Sequence, residues 1–167
     1  MSSNPLIDSL KANNTLYSSS FDGKDVPGRA REKLLILTCM DSRIIPHEVF
    51  GLGMGDVKVV RNAGGQLNPE VEKDIVLASY LLDCNSIVIM PHTRCAMASL
   101  PLADVRHKLS DMSGKDFSDF NPRMIDDANS KLRNDVATLQ ANQLLKDGVQ
   151  VYGAIYDVDT GLVNWVD

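Results

Sequence analysis

This 167-residue sequence has no long apolar run, no dense basic segment and an odd number of cysteines. No stretch is apolar over the length that a bilayer requires, so we expect no membrane-spanning helix. Acidic residues outnumber lysine and arginine by 22 to 17, and the resulting net charge of -5 argues against a nucleic-acid-binding surface. The N-terminus lacks the basic start and continuous apolar segment that are typical of a secretory signal.

The three cysteines, Cys39, Cys84 and Cys95, do not have the spacing of a disulfide-stapled scaffold. The simplest interpretation is a protein of a reducing compartment, the cytoplasm, whose thiols are free or bound to metal. The chain has 167 residues, of which 44% are hydrophobic, and is long enough to bury a core without covalent staples. We therefore predict one domain over residues 1–167.

Strands and helices alternate along the sequence. Short, largely apolar segments predict four strands, at residues 33–38, 56–62, 86–90 and 149–158. A turn at the sequence DTG then leads into a short final strand that ends near Trp165. This alternation predicts an α/β domain with a largely parallel sheet, in which ligands bind at the carboxyl ends of the strands.

Two helices and one irregular segment are expected between these strands. Asn68 is suited to cap the first helix and Pro69 to begin it. Residues 101–121 are polar and are expected to form an irregular surface excursion. A long helix is then expected to begin at Pro122 and to stop near Gly148.

Three possible metal ligands follow two of the predicted strands. Cys39 comes directly after the first strand, and the sequence His92-x-x-Cys95 comes shortly after the third. Two thiolates and an imidazole are donors that zinc prefers, and three protein ligands leave the fourth tetrahedral position open, as in catalytic zinc sites. Cys95 is also expected at a helix N-terminus, where the helix dipole favours a thiolate.

Asp41 and Arg43 stand close to the first of these cysteines. Along an extended segment Cys39, Asp41 and Arg43 point to one side, and Arg43 can hold the Asp41 carboxylate by paired hydrogen bonds. The carboxylate can then orient zinc-bound water or hydroxide. Alternatively it can rotate onto the metal as a fourth ligand and close the site, and the residues themselves do not choose between the two.

Four separated segments, CMDSR, VVRNAGG, HTRC and YGAIYDVDTG, resemble in order and spacing the motifs of β-class carbonic anhydrases. The resemblance runs from about Lys33 to the C-terminus, with a divergent stretch between about Met97 and Arg123. It implies a zinc enzyme with zinc ligands Cys39, His92 and Cys95, catalytic residues Asp41 and Arg43, and a pocket-lining loop of Asn62, Ala63, Gly64 and Gly65.

The resemblance also implies a fold, an assembly and a reaction. We expect a mostly parallel four-stranded sheet flanked by helices with an antiparallel edge strand, an N-terminal helical arm over residues 1–32 and a catalytic core over residues 33–167. The implied assembly is a homodimer or a dimer of dimers, with the N-terminal helix reaching over the partner subunit. The implied reaction is hydration of CO2 to bicarbonate by zinc-bound hydroxide.

The sequence departs from the family pattern beside the expected ligands. Ala96 stands where the family usually has glycine, and Pro91 stands before His92 where histidine or glycine is common. The extra Cβ of Ala96 would narrow the pocket, so CO2 hydration follows less directly from the residues than zinc binding does. Two alternatives to it stay open. In one, the same zinc site hydrolyses carbonyl sulfide or carbon disulfide behind an apolar entrance that includes Ile44, Ile45, Val49 and Met97. In the other, the protein binds zinc but is catalytically silent.

Overall fold

The computed structural model describes residues 4–166, and this part of the chain forms five strands and five α-helices. The strands are β1 (Leu34–Cys39), β2 (Val57–Asn62), β3 (Ser86–Met90), β4 (Gln150–Tyr156) and β5 (Val163–Val166). The helices are α1 (Pro5–Ser19), α2 (Pro46–Phe50), α3 (Pro69–Leu81), α4 (Leu102–Ser113) and α5 (Ala128–Gln140). Residues 1–3 of the expected arm and residue 167 of the expected core lie outside the described residues.

One five-stranded sheet forms the centre of the domain, in the order β2-β1-β3-β4-β5. β1 pairs in parallel with both β2 and β3, and β3 pairs in parallel with β4. β5 runs antiparallel to β4 at one edge. The predicted parallel four-stranded sheet with an antiparallel edge strand is therefore confirmed. In the register Cys39 lies level with Asn62, so the segments that follow β1 and β2 start side by side.

The sheet is covered on both faces because its central strands are apolar on both faces. One face packs against α3 and α5 in a cluster that includes Leu35, Leu37, Ile75, Ile87, Ile89 and Leu132. The other face forms a smaller cluster that includes Ile36, Val88 and Met90. Cys39 and Cys95 belong to this second cluster, so the two cysteines are fixed by core packing.

Helix α3 begins where its capping residues predict. The side-chain oxygen of Asn68 accepts hydrogen bonds from the backbone N–H groups of Glu70, at 3.1 Å, and Val71, at 3.2 Å. Pro69 is the first helical residue, where its missing N–H costs no hydrogen bond.

Two predictions about the later helices are wrong. Residues 102–113 form α4 and not an irregular excursion. Leu102, Val105 and Leu109 recur at helical spacing, but polar residues dominate the segment and no residue of α4 is buried. Helix α5 begins at Ala128 and not at Pro122. Its start is set by Asp127, whose carboxylate accepts a hydrogen bond from the backbone N–H of Ser130 at 2.7 Å. The helix ends at Gln140, before the expected stop.

Helix α1 is exposed along its whole length. None of its residues is buried, and the apolar side chains of Leu6, Leu10 and Leu16 are all more than half exposed. In the stretch from residue 4 to residue 166, no helix combines the length and the apolar character that crossing a membrane requires.

Candidate metal centre

Three side chains converge at the carboxyl edge of the sheet. Cys39 is the last residue of β1, and His92 and Cys95 lie in the loop after β3. The Sγ atoms of the two cysteines and a ring nitrogen of His92 all lie within 4.8 Å of one another. Each of the three residues is no more than 5% exposed. The structure thus brings together the three residues that the sequence suggests as metal ligands.

The loop that carries His92 and Cys95 is fastened to the end of β4. The backbone N–H of Thr93 donates to the carbonyl oxygen of Tyr156 at 2.9 Å, and its hydroxyl accepts from the backbone N–H of Val158 at 3.1 Å. These two contacts hold Thr93, the residue that follows His92, against the end of β4.

Cys95 does not begin an α-helix, so the prediction of a helix N-terminus at this cysteine is wrong. A single 3₁₀ turn, Ala96–Ala98, follows Cys95, and α4 starts only at Leu102. The macrodipole of a long helix therefore does not act on the Cys95 thiol. At the other cysteine, the backbone N–H of Gly64 donates to Sγ of Cys39 at 3.3 Å.

The chemistry of the three side chains fits a zinc ion. Both ring nitrogens of His92 are buried without a hydrogen-bond partner among residues 4–166, an arrangement that is unusual for a buried polar group. Burial lowers the pKa of His92, which keeps the imidazole in the neutral form that binds metals. Burial also raises the pKa of the Cys95 thiol, so a nearby cation is needed to stabilise the thiolate.

Asp41 and Arg43 form a two-pronged ion pair beside this donor set. Nε of Arg43 donates to Oδ1 of Asp41 at 2.9 Å, and Nη2 donates to Oδ2 at 2.7 Å. These hydrogen bonds hold the pKa of Asp41 well below its ordinary value, so the carboxylate is ionised at neutral pH. Oδ2 also lies 3.8 Å from Nε2 of His92, which places the carboxylate next to the possible metal ligands.

The pairing arises from a turn and not from the expected alternation along an extended segment. β1 ends at Cys39, and the backbone N–H of Arg43 donates to Oδ1 of Asp41 at 3.0 Å. An aspartate that accepts from the N–H two residues later forms an Asx turn, which brings the two side chains together locally.

A cleft of about 470 Å³ opens above the three donors. Its walls include the Asp41–Arg43 pair and an apolar set made up of Met40, Ala63, Ala96 and Met97. The expected apolar entrance is wrong in three of its four members. Ile44 is buried in the core, and neither Ile45 nor Val49 lines the cleft.

The loop that begins at Asn62 reaches the cleft through one side chain. Ala63 lines the cleft, whereas Asn62, Gly64 and Gly65 lie behind it and build the loop. Gly64 and Gly65 have φ values of +85° and +63°, which residues with a Cβ rarely adopt. A Cβ on Gly65 would lie 2.8 Å from the backbone nitrogen of Cys39, so glycine lets the loop pack directly against β1.

Arg61 lies within the segment VVRNAGG, yet its residue type alone does not mark it as part of the site. From β2 its Nε donates to the carbonyl oxygen of Cys39 at 2.9 Å. Its Nη2 donates to the carbonyl oxygens of Asp41, at 2.7 Å, and Ile44, at 3.0 Å. One guanidinium thus holds the whole segment that carries a possible metal ligand and the ion pair. Its partners are backbone atoms, which leave no residue pattern in the sequence.

Known proteins are similar to this chain in sequence and in fold. Residues 34–114 match the sequence profile of the carbonic anhydrase family. The crystal structure of a carbonic anhydrase from Streptococcus mutans superimposes with a TM-score of 0.87 and 30% identity, covering 100% of each chain. Beta-carbonic anhydrase 1 of Mycobacterium tuberculosis is 28% identical over 159 residues, covering 95% of this chain and 96% of that protein. A carbon disulfide hydrolase of Acidithiobacillus thiooxidans is 25% identical over 149 residues, covering 77% and 74%.

Proposed function

The chain belongs to the β-carbonic anhydrase family, and from that premise we propose that it is a zinc enzyme that hydrates CO2 to bicarbonate. The observation that carries the proposal is the buried donor set of Cys39, His92 and Cys95 at the floor of a cleft whose wall holds the Asp41–Arg43 pair. Water and CO2 combine to give bicarbonate and a proton, and the proton leaves to solvent.

Cys39, His92 and Cys95 would hold the zinc ion. When bound there, zinc would act as a Lewis acid that lowers the pKa of a bound water molecule from far above neutrality to about 7. The two thiolates neutralise the formal charge of the ion, so the protein has reason to assist the reaction with further groups.

Asp41 orients the attacking water in this proposal. As an ionised carboxylate it only accepts hydrogen bonds, so the O–H of the nucleophile points towards Asp41 and a lone pair is left facing the substrate. Arg43 acts through Asp41: by binding both carboxylate oxygens it fixes their direction and opposes their use as a metal ligand. The apolar wall of Met40, Ala63, Ala96 and Met97 suits a linear substrate without polar hydrogen atoms.

Hydrolysis of carbonyl sulfide or carbon disulfide is the second candidate for the same site. The two methionines in the wall favour it, since thioether sulfur is polarisable and packs well against soft apolar groups. The similarity to a carbon disulfide hydrolase over 77% of this chain also supports it. In this reaction the oxygen of water bonds to the carbon, a carbon–sulfur bond breaks, and the sulfur takes up the two protons of the water and leaves as hydrogen sulfide.

We also propose a homodimer of the cytoplasm in which the arm formed by α1 packs on the partner subunit. A helix of 15 residues with no buried residue is marginal by itself in water, so contact with a second copy would explain its stability. Exposed apolar residues on α3, namely Leu77 and Leu81, offer a surface for such contact. A reducing compartment would keep the proposed cysteine ligands available for metal.

The test is a side-by-side turnover measurement on one preparation of known zinc content. CO2 hydration is followed by the pH change in a stopped-flow instrument, and sulfide release is followed with carbonyl sulfide and carbon disulfide. Fast hydration with negligible sulfide release supports carbonic anhydrase activity, and the reverse supports the second candidate. A zinc-loaded protein that turns over none of the three substrates would be catalytically silent, which would refute both.

A further inference from the structure

We infer that Asp135, on helix α5, is a positioning residue for the metal centre: it anchors the loop of residues 62–67 and thereby sets the hydrogen bond from Gly64 N–H to the Cys39 sulfur. The inference rests on the proposed zinc site. It concerns a carboxylate that lies outside the cleft and that no step of the proposed reaction uses.

The Asp135 side chain lies between helix α5 and the loop and is buried, with only 6% of the residue exposed. Its two oxygens have different partners. Oδ2 accepts a hydrogen bond from the backbone N–H of Leu67 at 3.1 Å, and Oδ1 pairs with Nζ of Lys131, one turn earlier on α5. Burying an ion pair gains little stability over apolar packing, so a buried aspartate that binds one particular N–H suggests a role in geometry.

The loop that Asp135 binds is internally rigid. The side-chain oxygen of Asn62 accepts from the backbone N–H of Gln66 at 2.9 Å, and the side-chain amide of Asn62 donates to the carbonyl oxygen of Gln66 at 2.8 Å. The backbone N–H of Gly65 closes the loop further by donating to the carbonyl oxygen of Asn62 at 3.3 Å. Because these hydrogen bonds join the two ends of the loop, a displacement of Leu67 is expected to move the whole loop.

The opposite side of this loop touches the proposed metal ligand. Gly65 packs so closely on β1 that a Cβ there would lie within 2.9 Å of Thr38 backbone carbon, and the N–H of Gly64 lies 3.3 Å from Sγ of Cys39. Hydrogen bonds to a ligand sulfur change its electron density and its orientation towards the metal. Displacing the loop would therefore change how Cys39 binds the ion.

The experiment compares Asp135→Ala with Asp135→Asn in the full-length protein. Zinc affinity is measured by competition with a chromophoric chelator, and the cobalt(II)-loaded protein is examined for its sulfur-to-cobalt charge-transfer absorption. Asp135→Ala loses the acceptor for Leu67 N–H, so we expect about tenfold weaker zinc binding and a shifted charge-transfer band. Asp135→Asn keeps an oxygen that can accept from Leu67, and we expect it to restore both properties to near wild type.

The matched control is Asp127→Ala, which removes the N-terminal cap of the same helix without touching the loop. It should lower thermal stability and leave the cobalt spectrum unchanged. Equal shifts in the Asp127→Ala and Asp135→Ala proteins, or a wild-type spectrum in Asp135→Ala, would overturn the inference. If Asp135→Ala is insoluble, the double variant Asp135→Ala/Lys131→Ala replaces it, because it leaves no lysine ammonium without its partner. We expect the same weaker zinc binding and shifted band from the double variant.

Failure of the proposed function would look different. A wild-type protein that binds neither zinc nor cobalt at the two cysteines would show no charge-transfer band at all. In that case the metal site itself is absent and the inference falls with it. A wild-type band that Asp135→Ala leaves unchanged refutes the role of Asp135 alone.

Discussion

Oδ2 of Asp41 lies 3.8 Å from Nε2 of His92, yet it accepts its hydrogen bond from Arg43, at 2.7 Å. The carboxylate is thus within one small rotation of the possible metal ligands while both its oxygens are engaged elsewhere. Of the two arrangements that the sequence allows, this geometry favours the one in which Asp41 leaves the fourth position of the proposed zinc site open. Rotation onto the metal would break two charge-assisted hydrogen bonds.

The Asp41–Arg43 pair yields the first prediction. Asp41→Asn should retain zinc at the wild-type stoichiometry but lower kcat about 10- to 100-fold, because the amide no longer presents two equivalent acceptors in the same direction. Metal analysis and stopped-flow hydration on the same sample check both parts. Wild-type turnover by Asp41→Asn would show that the carboxylate does not orient the nucleophile.

The cysteines yield the second prediction. Cys39→Ser should lose zinc and activity together, since a serine hydroxyl is a poor zinc ligand at neutral pH. Cys84 provides the matched control, because it is also fully buried but belongs to the cluster on the other face of the sheet. Cys84→Ala should lose stability and keep its zinc. Full metal content in Cys39→Ser would make the ligand assignment wrong.

Arg61 yields the third prediction. Arg61→Met removes three hydrogen bonds to the carbonyls of the segment that carries Cys39 and Asp41. We expect a loss of about 1 to 3 kcal/mol of unfolding free energy and about a tenfold fall in kcat/KM. Because Lys lacks the planar fork of donors, Arg61→Lys should recover only part of the loss. If Arg61 acts through these hydrogen bonds, guanidinium ion added at low concentration should restore part of the activity of the Arg61→Met protein. Activity that does not rise with added guanidinium would instead indicate general destabilisation.

The fold was predictable from sequence where burial imposes a pattern. The strands of the sheet are apolar on both faces, and α3 carries both a buried face and an asparagine cap, so its start is correct to the residue. Helix α4 gives a weaker signal: Leu102, Val105 and Leu109 have helical spacing, but polar residues dominate the segment and none of its residues is buried. Pro122 predicted the start of α5 too early. Arg123, the next residue, has a left-handed backbone conformation, and the helix begins only after its cap at Asp127.

The possible metal ligands were predictable because metal chemistry demands particular side chains in a particular spacing. The groups around them were not. Arg61 and Asp135 act on backbone carbonyl and N–H groups, and every residue except proline offers the same N–H. The Asx turn between Asp41 and Arg43 is an intermediate case, since aspartate favours such a turn but does not require it.

The exposed arm yields the fourth prediction. If α1 packs on a partner subunit, a double variant Leu6→Asn/Leu10→Asn should shift the protein from dimer towards monomer, because it removes apolar area that is solvent-exposed within one chain. Analytical ultracentrifugation over a range of concentrations measures the shift. Lys11→Gln, on the same helix, is the control that changes charge and leaves the apolar residues intact. An unchanged dimer in the double variant would place the interface elsewhere.

The cap of α5 yields a prediction about pH. Hydrogen bonds from the hydroxyl and backbone N–H of Ser130 lower the pKa of Asp127 below its ordinary value of about 3.9. A carboxyl group whose pKa is lower in the folded state stabilises the fold fully above the unfolded-state pKa, and this contribution is lost as the pH falls through the folded-state value.

The difference in unfolding free energy between wild type and Asp127→Ala should therefore be constant from pH 7 to about pH 5 and shrink below about pH 4. Urea titrations at several pH values measure it, with Asp127→Asn as a cap that does not titrate. A difference that stays the same down to pH 3.5 would mean that the charge on Asp127 contributes nothing to the cap.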